Sequence, residues 1–439
     1  METQLLTGPP KRRGRRWRVL ALAVLALPLT IVCVPAVTGT PAQPMAADRT
    51  SDSRSTDSLD AKTLLVMRHQ ESLGPAVKLL YEQARRSPGS GFMGVAFEGE
   101  GISLYWKGDL PPGMKKTLEM ARAVGPITVR PARFSLAELE AAAAKIEAAA
   151  NPTNGGDIQE IIVKHDGTGL EVLKMPAETA AAVRAKAAAL GRGVPSAEQI
   201  IPDLGLRVPV TVKPAGAPIQ LLSCASTCNR QDDTSPWNGG TYLIVDNTPT
   251  GDKHCTFGFG VVKGGQSYLL TAAHCATDEL VYDYTWERIG GVYQEDWDKD
   301  LLLINARGYG HIFDGSATTG RAKGVKSYGY PVVNELLCQS GSTSGTVCGL
   351  KSLDGSYTTY GCDFDGNCYN WHSMAKAQQI HNLPAVRPGD SGGSVFSLDG
   401  TGVRAKGIVS STPTGDATTL YYQDWETIES SLGAYPVIG

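Results

Sequence analysis

Two periodicities divide this chain. From about residue 75 to residue 195, apolar positions recur at helical steps between short alternating runs. From residue 239 onward the apolar runs are short, rich in β-branched and aromatic residues, and cut by Gly, Asp, Asn and Ser at intervals of about ten residues, as in an all-β barrel or sandwich. In the first region, runs 92–97 and 102–106 flank Gly99-Glu100-Gly101 and predict a hairpin. A helix is predicted over 113–124, where Met114, Leu118 and Ala121 share one face. The clearest helix is 136–150: Ser135 and Glu138 fit a capping box, Phe134 and Leu139 the staple beside it, and Asn151-Pro152 ends it. A second hairpin, 158–165 with 170–174 around Asp166-Gly167, precedes a helix over 177–190 closed by Gly191. In the second region the strands expected are 241–245, 256–262, 267–271, 300–304, 345–350, 393–396, 402–409 and 418–422. Only 424–432 is helical in pattern there.

The N-terminus has a different character. A basic run, Lys11-Arg12-Arg13-Gly14-Arg15-Arg16-Trp17-Arg18, precedes an apolar stretch over 19–34 interrupted by Pro28, with small residues at Ala36 and Ala42. About 16 apolar residues are short for crossing a bilayer, so residues 1–47 read as a cleavable secretory signal rather than an anchor, with Arg15-Arg16 leaving the export route open. Cys33 follows Val32 and reads as signal filler. The expected organisation is then a polar linker over 48–74, a small cysteine-free α/β domain over 75–195, a second linker over 196–238, and a mainly β domain over 239–439. The α/β domain shows no nucleophile, base and orienter set; His69 and His165 read as surface residues.

Composition narrows the partners. A net charge of −3 and no long basic run beyond the N-terminus argue against nucleic acid, and signal removal leaves nothing to hold a membrane. Of nine cysteines, eight lie beyond residue 220; in an exported chain they read as a disulfide framework. Cys224-x-x-x-Cys228 fits a local disulfide better than a metal or redox pair.

The chemistry converges on two motifs. Pro388-Gly389-Asp390-Ser391-Gly392-Gly393 places a serine in a turn whose glycines let the N–H groups of Gly389 and Ser391 face one oxygen, and Thr271-Ala272-Ala273-His274-Cys275 supplies a base. With Asp300-Leu301-Leu302-Leu303-Ile304 between them, the order His, Asp, Ser resembles the chymotrypsin-type serine proteases. The 338–349 stretch, Cys338-Gln339-Ser340-Gly341 to Val347-Cys348-Gly349, and Thr418-Thr419-Leu420-Tyr421-Tyr422-Gln423 resemble the secreted bacterial branch with streptogrisins and α-lytic protease. The resemblance covers 239–439 and implies two six-stranded antiparallel β-barrels with a C-terminal helix.

It also implies roles. His274 would be the base, Asp300 its orienter and Ser391 the nucleophile; of Asp296, Asp298 and Asp300, only the last leads directly into a buried-strand pattern. Ser410 would support Asp300, and Ser410, Ser411 and Thr412 would line an extended peptide. Cys255 would pair with Cys275 and Cys338 with Cys348, leaving Cys362 and Cys368 to each other. The acidic loop between these last two lacks calcium-loop spacing; no metal or cofactor is expected. The α/β domain would be a pro-domain removed by a cut between residues 194 and 240, and the enzyme a secreted monomer acting on protein or peptide substrates.

Departures from the family pattern matter too. Gln339 replaces the arginine that pairs with the aspartate before the serine, so Asp390 needs another partner, for which Arg387 is the candidate. Ala385 stands where cation-selecting pockets carry an aspartate, and Thr412 where glycine is frequent, so an apolar or small P1 residue is expected unless Asp416 points inward. A retained binding domain, a pseudoprotease and a secreted esterase are the competing readings.

Overall fold

The computed structural model describes residues 55–87, 89–150, 152, 155–189, 191–193, 195–216, 219–221, 232–245, 253–275, 280–362 and 368–439. The expected signal, the Cys224–Cys228 pair and the 363–367 loop lie outside them. Residues Thr50–Gly439 make one compact unit.

The first long element is a helix that the sequence pattern concealed. Asp60 caps α1 (Ala61–Arg85), its carboxylate accepting the N–H groups of Lys62 and Thr63 at 3.1 and 3.0 Å. Met67, Gln70, Leu73, Val77, Leu80, Tyr81 and Ala84 form its buried stripe. Gln70 in that stripe and Gly74-Pro75 in mid-helix broke the apolar signal. Residues 61–74, read as linker, are therefore helix. Packing explains why: Met67 enters a core shared with Phe259, Leu398 and Trp425 of the mainly β part, while Gln70 donates to the Asn334 carbonyl and accepts from Leu336 N–H, both at 2.7 Å.

The rest of the α/β region follows the expected pattern. Strands β1 (Phe92–Glu98) and β2 (Gly101–Trp106) form the hairpin, α2 is Pro112–Arg122, and β3 (Ile127–Pro131) lies parallel to β2. The capping box of α3 (Leu136–Ala150) is present, Ser135 N–H donating to Glu138 at 2.9 Å and Glu138 N–H to Ser135 Oγ at 3.3 Å. Strands β4 (Ile158–Val163) and β5 (Leu170–Lys174) are the second hairpin, followed by α4 (Ala177–Ala189) and the short α5 (Ala197–Ile200). Next, β6 (Val210–Pro214) returns parallel to β5, so 196–214 belongs to this region and not to a linker.

After β7 (Ile219–Leu221) and β8 (Trp237–Gly239) come two rings of strands. In the first, β9 (Tyr242–Val245) pairs with β10 (Lys253–Thr256), which continues through Gly258 into β11 (Phe259–Lys263); β11 pairs with β12 (Gln266–Thr271). From β12 the pairing passes to β15 (Leu301–Ile304), β14 (Arg288–Asp296) and β13 (Leu280–Tyr282), and from β13 back to β9. With β10 and β11 as one bent strand, this is a closed six-stranded antiparallel ring. Strands β16 (Gly308–Phe313) and β17 (Ala322–Tyr328) lead to the second. There β18 (Leu336–Gly341), β19 (Gly345–Ser352), β21 (Cys368–Gln379), β24 (Thr419–Asp424), β23 (Gly402–Pro413) and β22 (Ser394–Asp399) pair in that order, β22 returning to β18, all antiparallel. The C-terminal helix α6 (Trp425–Leu432) is capped by Asp424, which accepts Thr427 N–H at 3.0 Å. The mainly β expectation holds.

The α/β region joins the second ring through its sheet. Strand β20 (Tyr357–Cys362), the partner of β21, pairs antiparallel with β4, Thr359 opposite Glu160 and Tyr357 opposite Ile162. At this seam buried Glu160 accepts the Tyr421 hydroxyl at 3.1 Å and pairs with Lys376 at 3.4 Å. Among the described residues no helix is long and apolar enough to cross a membrane.

Candidate active site

The three predicted side chains meet where the two rings face each other. Leu301 to Ile304 are fully buried, and the β12–β15 ladder sets Thr271 opposite Leu302; the turn after β12 then carries His274 onto Asp300. Asp300 has φ of +52°, a left-handed conformation that aspartate tolerates better than most residues. Its Oδ1 accepts His274 N–H at 3.0 Å, both carboxylate oxygens lie 2.9 Å from His274 Nδ1, and Ser410 Oγ donates to Oδ2. A carboxylate there accepts only, so Nδ1 carries the proton and Nε2 presents its lone pair. Nε2 lies 2.8 Å from Ser391 Oγ. The neighbouring acids are spent elsewhere: Asp296 accepts from Ser431, and Asp298 pairs with His372 and Lys299.

The serine turn is held from three sides. Gly389 has φ of +99° and Gly392 of +81°, and a Cβ on Gly392 would stand 2.1 Å from Thr271 Oγ1. The Gly389 carbonyl accepts Thr256 Oγ1 at 2.7 Å and Ser342 Oγ at 3.0 Å, while Thr256 N–H donates to the Ser391 carbonyl at 2.8 Å. Asp390, fully buried, accepts backbone N–H groups of Arg387 (2.8 Å), Thr343 (3.0 Å) and Ser344 (2.9 Å). Arg387 thus partners Asp390 through its backbone. Burial pushes the Asp390 carboxyl above its usual range, against those hydrogen bonds. Gln339 donates to the Ala385 carbonyl at 3.1 Å and so holds the segment leading into the turn. Among the described residues, neither Gly389 N–H nor Ser391 N–H donates to a protein acceptor.

Two predicted disulfides are formed: Cys255–Cys275 fastens the histidine turn and Cys338–Cys348 links β18 to β19. A loop of 20 residues closed in this way contributes about 3 kcal/mol in the chain-entropy account. Cys368 is disulfide-bonded and stands opposite Cys362 in the ladder. Cys255, His274 and Cys275 have metal-like spacing, but both sulfurs are consumed and His274 faces Asp300 and Ser391.

Ser410, Ser411 and Thr412, the residues expected to line a peptide, lie on β23 and are buried. The Ser410 carbonyl lies 3.3 Å from Ser391 Oγ. Asp416 is held by its own loop: its carboxylate accepts Thr418 N–H at 3.0 Å and Thr419 Oγ1 at 2.8 Å. Burial would raise its pKa, but the Thr418 and Thr419 bonds outweigh it and hold the carboxyl below the usual range.

Three features had no sequence signal. Trp371, fully buried on β21, sets its ring 5.9 Å from that of His274. Strand β7, from the stretch read as linker, lies antiparallel on β23 with Leu221 opposite Ser411, Gln220 opposite Thr412 and Ile219 opposite Pro413. Finally, His372 bridges α3 to the loop before Asp300, with Nε2 bonded to Glu147 and Nδ1 2.5 Å from Asp298. Burial alone would lower its pKa, yet the bonds to Asp298 and Glu147 raise it to about 9. A raised pKa means that this bridge stabilises fully below the ordinary value of 6.5 and is lost as pH rises through about 9. The melting temperature of a Ser391→Ala chain is therefore expected to fall over that window more steeply than that of the same chain carrying Glu147→Gln. Parallel curves would show that the bridge contributes nothing.

No family model matches the chain. Streptogrisin-D of Streptomyces griseus is 26% identical over 187 residues, 42% of this chain and 44% of that protein. Streptogrisin-C of the same organism is 24% identical over 239 residues, 51% of this chain and 46% of that protein; glutamyl endopeptidase 2 is 27% identical over 196 residues, 43% and 93%. The chain spans less than half the length of the two streptogrisins it matches. Among solved structures, Thermobifida fusca protease A aligns at 20% identity with a TM-score of 0.36, over 46% of this chain and 98% of that one. By sequence the chain is similar to trypsin-like bacterial serine proteases of the streptogrisin branch.

Proposed function

We propose that the protein is a secreted serine endopeptidase made as a pre-pro-protein, which hydrolyses peptide bonds through an acyl-enzyme on Ser391. The observation that carries this reading is the continuous hydrogen-bonded line from Ser410 and Asp300 through His274 to Ser391 Oγ. His274 Nε2 takes the Ser391 proton during attack and returns it to the leaving amine, while Asp300 holds the tautomer and stabilises the imidazolium. The free N–H groups of Gly389 and Ser391 are the donors for the oxyanion.

The α/β region is the pro-domain in this reading, and its support is position. It extends the β20–β21 hairpin of the protease with its own sheet, and the β7 that follows it covers β23 beside Ser391. The chain described is thus the latent form, and the same contacts argue against a freely moving adhesion module. Intact geometry at all three catalytic positions argues likewise against a pseudoprotease. An esterase would use the same acyl chemistry, so activated protein is to be assayed on ester and amide substrates matched in P1. Turnover of both supports an endopeptidase; turnover of esters alone replaces it with the esterase.

A further inference from the structure

Two buried hydroxyls that take no part in the proton transfers grip the turn carrying Ser391, and what they do there rests on the protease reading above. Thr256 closes β10 in the first ring and Ser342 follows β18 in the second; both are fully buried. Each hydroxyl has one proton to give. Thr256 Oγ1 accepts Ser342 N–H at 2.9 Å, and its nearest acceptor is the Gly389 carbonyl at 2.7 Å. Ser342 Oγ lies 3.0 Å from the same carbonyl, 3.2 Å from that of Cys255 and 2.8 Å from Thr256 Oγ1. Thr256 is itself rooted: its carbonyl accepts Thr271 Oγ1 at 2.9 Å, at the end of the strand that leads to His274.

The backbone of residues 389–391 can be followed group by group. The Gly389 and Ser391 carbonyls both go to Thr256, the first to its Oγ1 and the second to its N–H at 2.8 Å. Asp390 N–H donates to the Arg387 carbonyl at 3.0 Å, and the Asp390 carbonyl accepts Gly393 N–H at 2.9 Å. Among the described residues, this leaves only the N–H groups of Gly389 and Ser391 without an acceptor, and those are the oxyanion donors. The peptide plane joining Gly389 to Asp390 lies between the two donors, so its rotation changes the angle at which they converge. Its N–H end is held by Arg387 and its carbonyl end by the two hydroxyls. Sterics do not hold it: Gly389, at φ of +99°, has no Cβ to narrow its conformations. We propose that Thr256, assisted by Ser342, is a positioning residue for the oxyanion, whose hydroxyl fixes the Gly389–Asp390 peptide so that both donors point at the oxygen that becomes charged.

Such a residue acts on the transition state more than on bound substrate, because hydrogen bonds to the carbonyl oxygen strengthen as it gains charge. Thr256→Val keeps the side-chain shape and the backbone N–H and removes only the hydroxyl. It is expected to lower kcat about a hundredfold, the size of one oxyanion donor lost, with KM changed by less than about threefold. Ser342→Ala leaves Thr256 Oγ1 on the Gly389 carbonyl and is expected to cost about tenfold. Thr256→Ser restores the hydroxyl and should bring kcat back to within about threefold of the unsubstituted protein. The bonds linking Asp300, His274 and Ser391 do not pass through Thr256, so the acid limb of the kcat/KM profile, set by His274, should stay in place.

The test uses the exported, processed protein with p-nitroanilides of tetrapeptides ending in Leu, Lys or Glu, and takes the aldehyde and the alcohol of whichever peptide is cut fastest as inhibitors. Ser391 Oγ adds to the aldehyde carbon, its proton passing to His274 Nε2, and the former carbonyl oxygen takes the place of the oxyanion; the alcohol forms no such bond. Thr256→Val is expected to weaken the aldehyde about a hundredfold and the alcohol by less than about threefold. If Thr256→Val is not exported, Ser342→Ala carries the same comparison, with about tenfold expected for the aldehyde. Equal weakening of both inhibitors, a rise in KM that accounts for the fall in kcat/KM, a displaced acid limb, or failure of Thr256→Ser to restore turnover at matched melting temperature would overturn the assignment while the protease reading stands. A folded, unsubstituted protein that cuts none of the peptides and takes no fluorophosphonate removes the protease reading, and this assignment with it.

Discussion

Ser391→Ala is expected to lower peptide-bond turnover by roughly 10⁶-fold, because without the hydroxyl no acyl-enzyme forms and only binding and oxyanion donors remain. The same substitution should leave the exported chain uncut, so that the α/β region stays attached. Stability should hardly change: Ser391 Oγ makes two contacts, with His274 Nε2 and the Ser410 carbonyl, and Ala fits the space. Steady-state assay of the supplied mature domain, alongside the mass of the secreted full chain, reads both effects. A loss of less than tenfold would discard the acyl-enzyme mechanism.

Asp300→Asn should cost about 10⁴-fold in kcat. The carboxylate accepts at both oxygens from His274 and Ser410, and an amide of the same shape must turn an N–H toward one of them. Facing Nδ1, that N–H selects the tautomer with its proton on Nε2, which cannot take a proton from Ser391. Ser410→Ala leaves the His274 bonds intact and should cost roughly tenfold, as the loss of one charge-assisted hydrogen bond. Equal losses for the two variants, at matched melting temperature, would mean that Asp300 acts through packing and not through the tautomer.

Legibility differed by region for physical reasons. The helix at Leu136–Ala150 was readable because its cap and apolar stripe are local. The turn carrying Ser391 was readable because sharp glycine turns leave few residue choices. By contrast, α1 was hidden because its buried stripe serves a distant surface and tolerates Gln70, which satisfies Asn334 and Leu336 some 260 residues away. The partners of Asp390 were equally invisible: backbone N–H groups of Thr343 and Ser344 carry no side-chain signal. Strand β7 has too few residues for any period, and its place is decided by the open edge of β23.

The most direct test of the central claim is reaction of the purified, processed protein with a fluorophosphonate, followed by mapping of the modified peptide. One label per molecule is expected on Ser391, abolished in Asp300→Asn over the same exposure and absent from Ser391→Ala. A folded, disulfide-bonded protein that takes no label, or takes it on another serine, would contradict it.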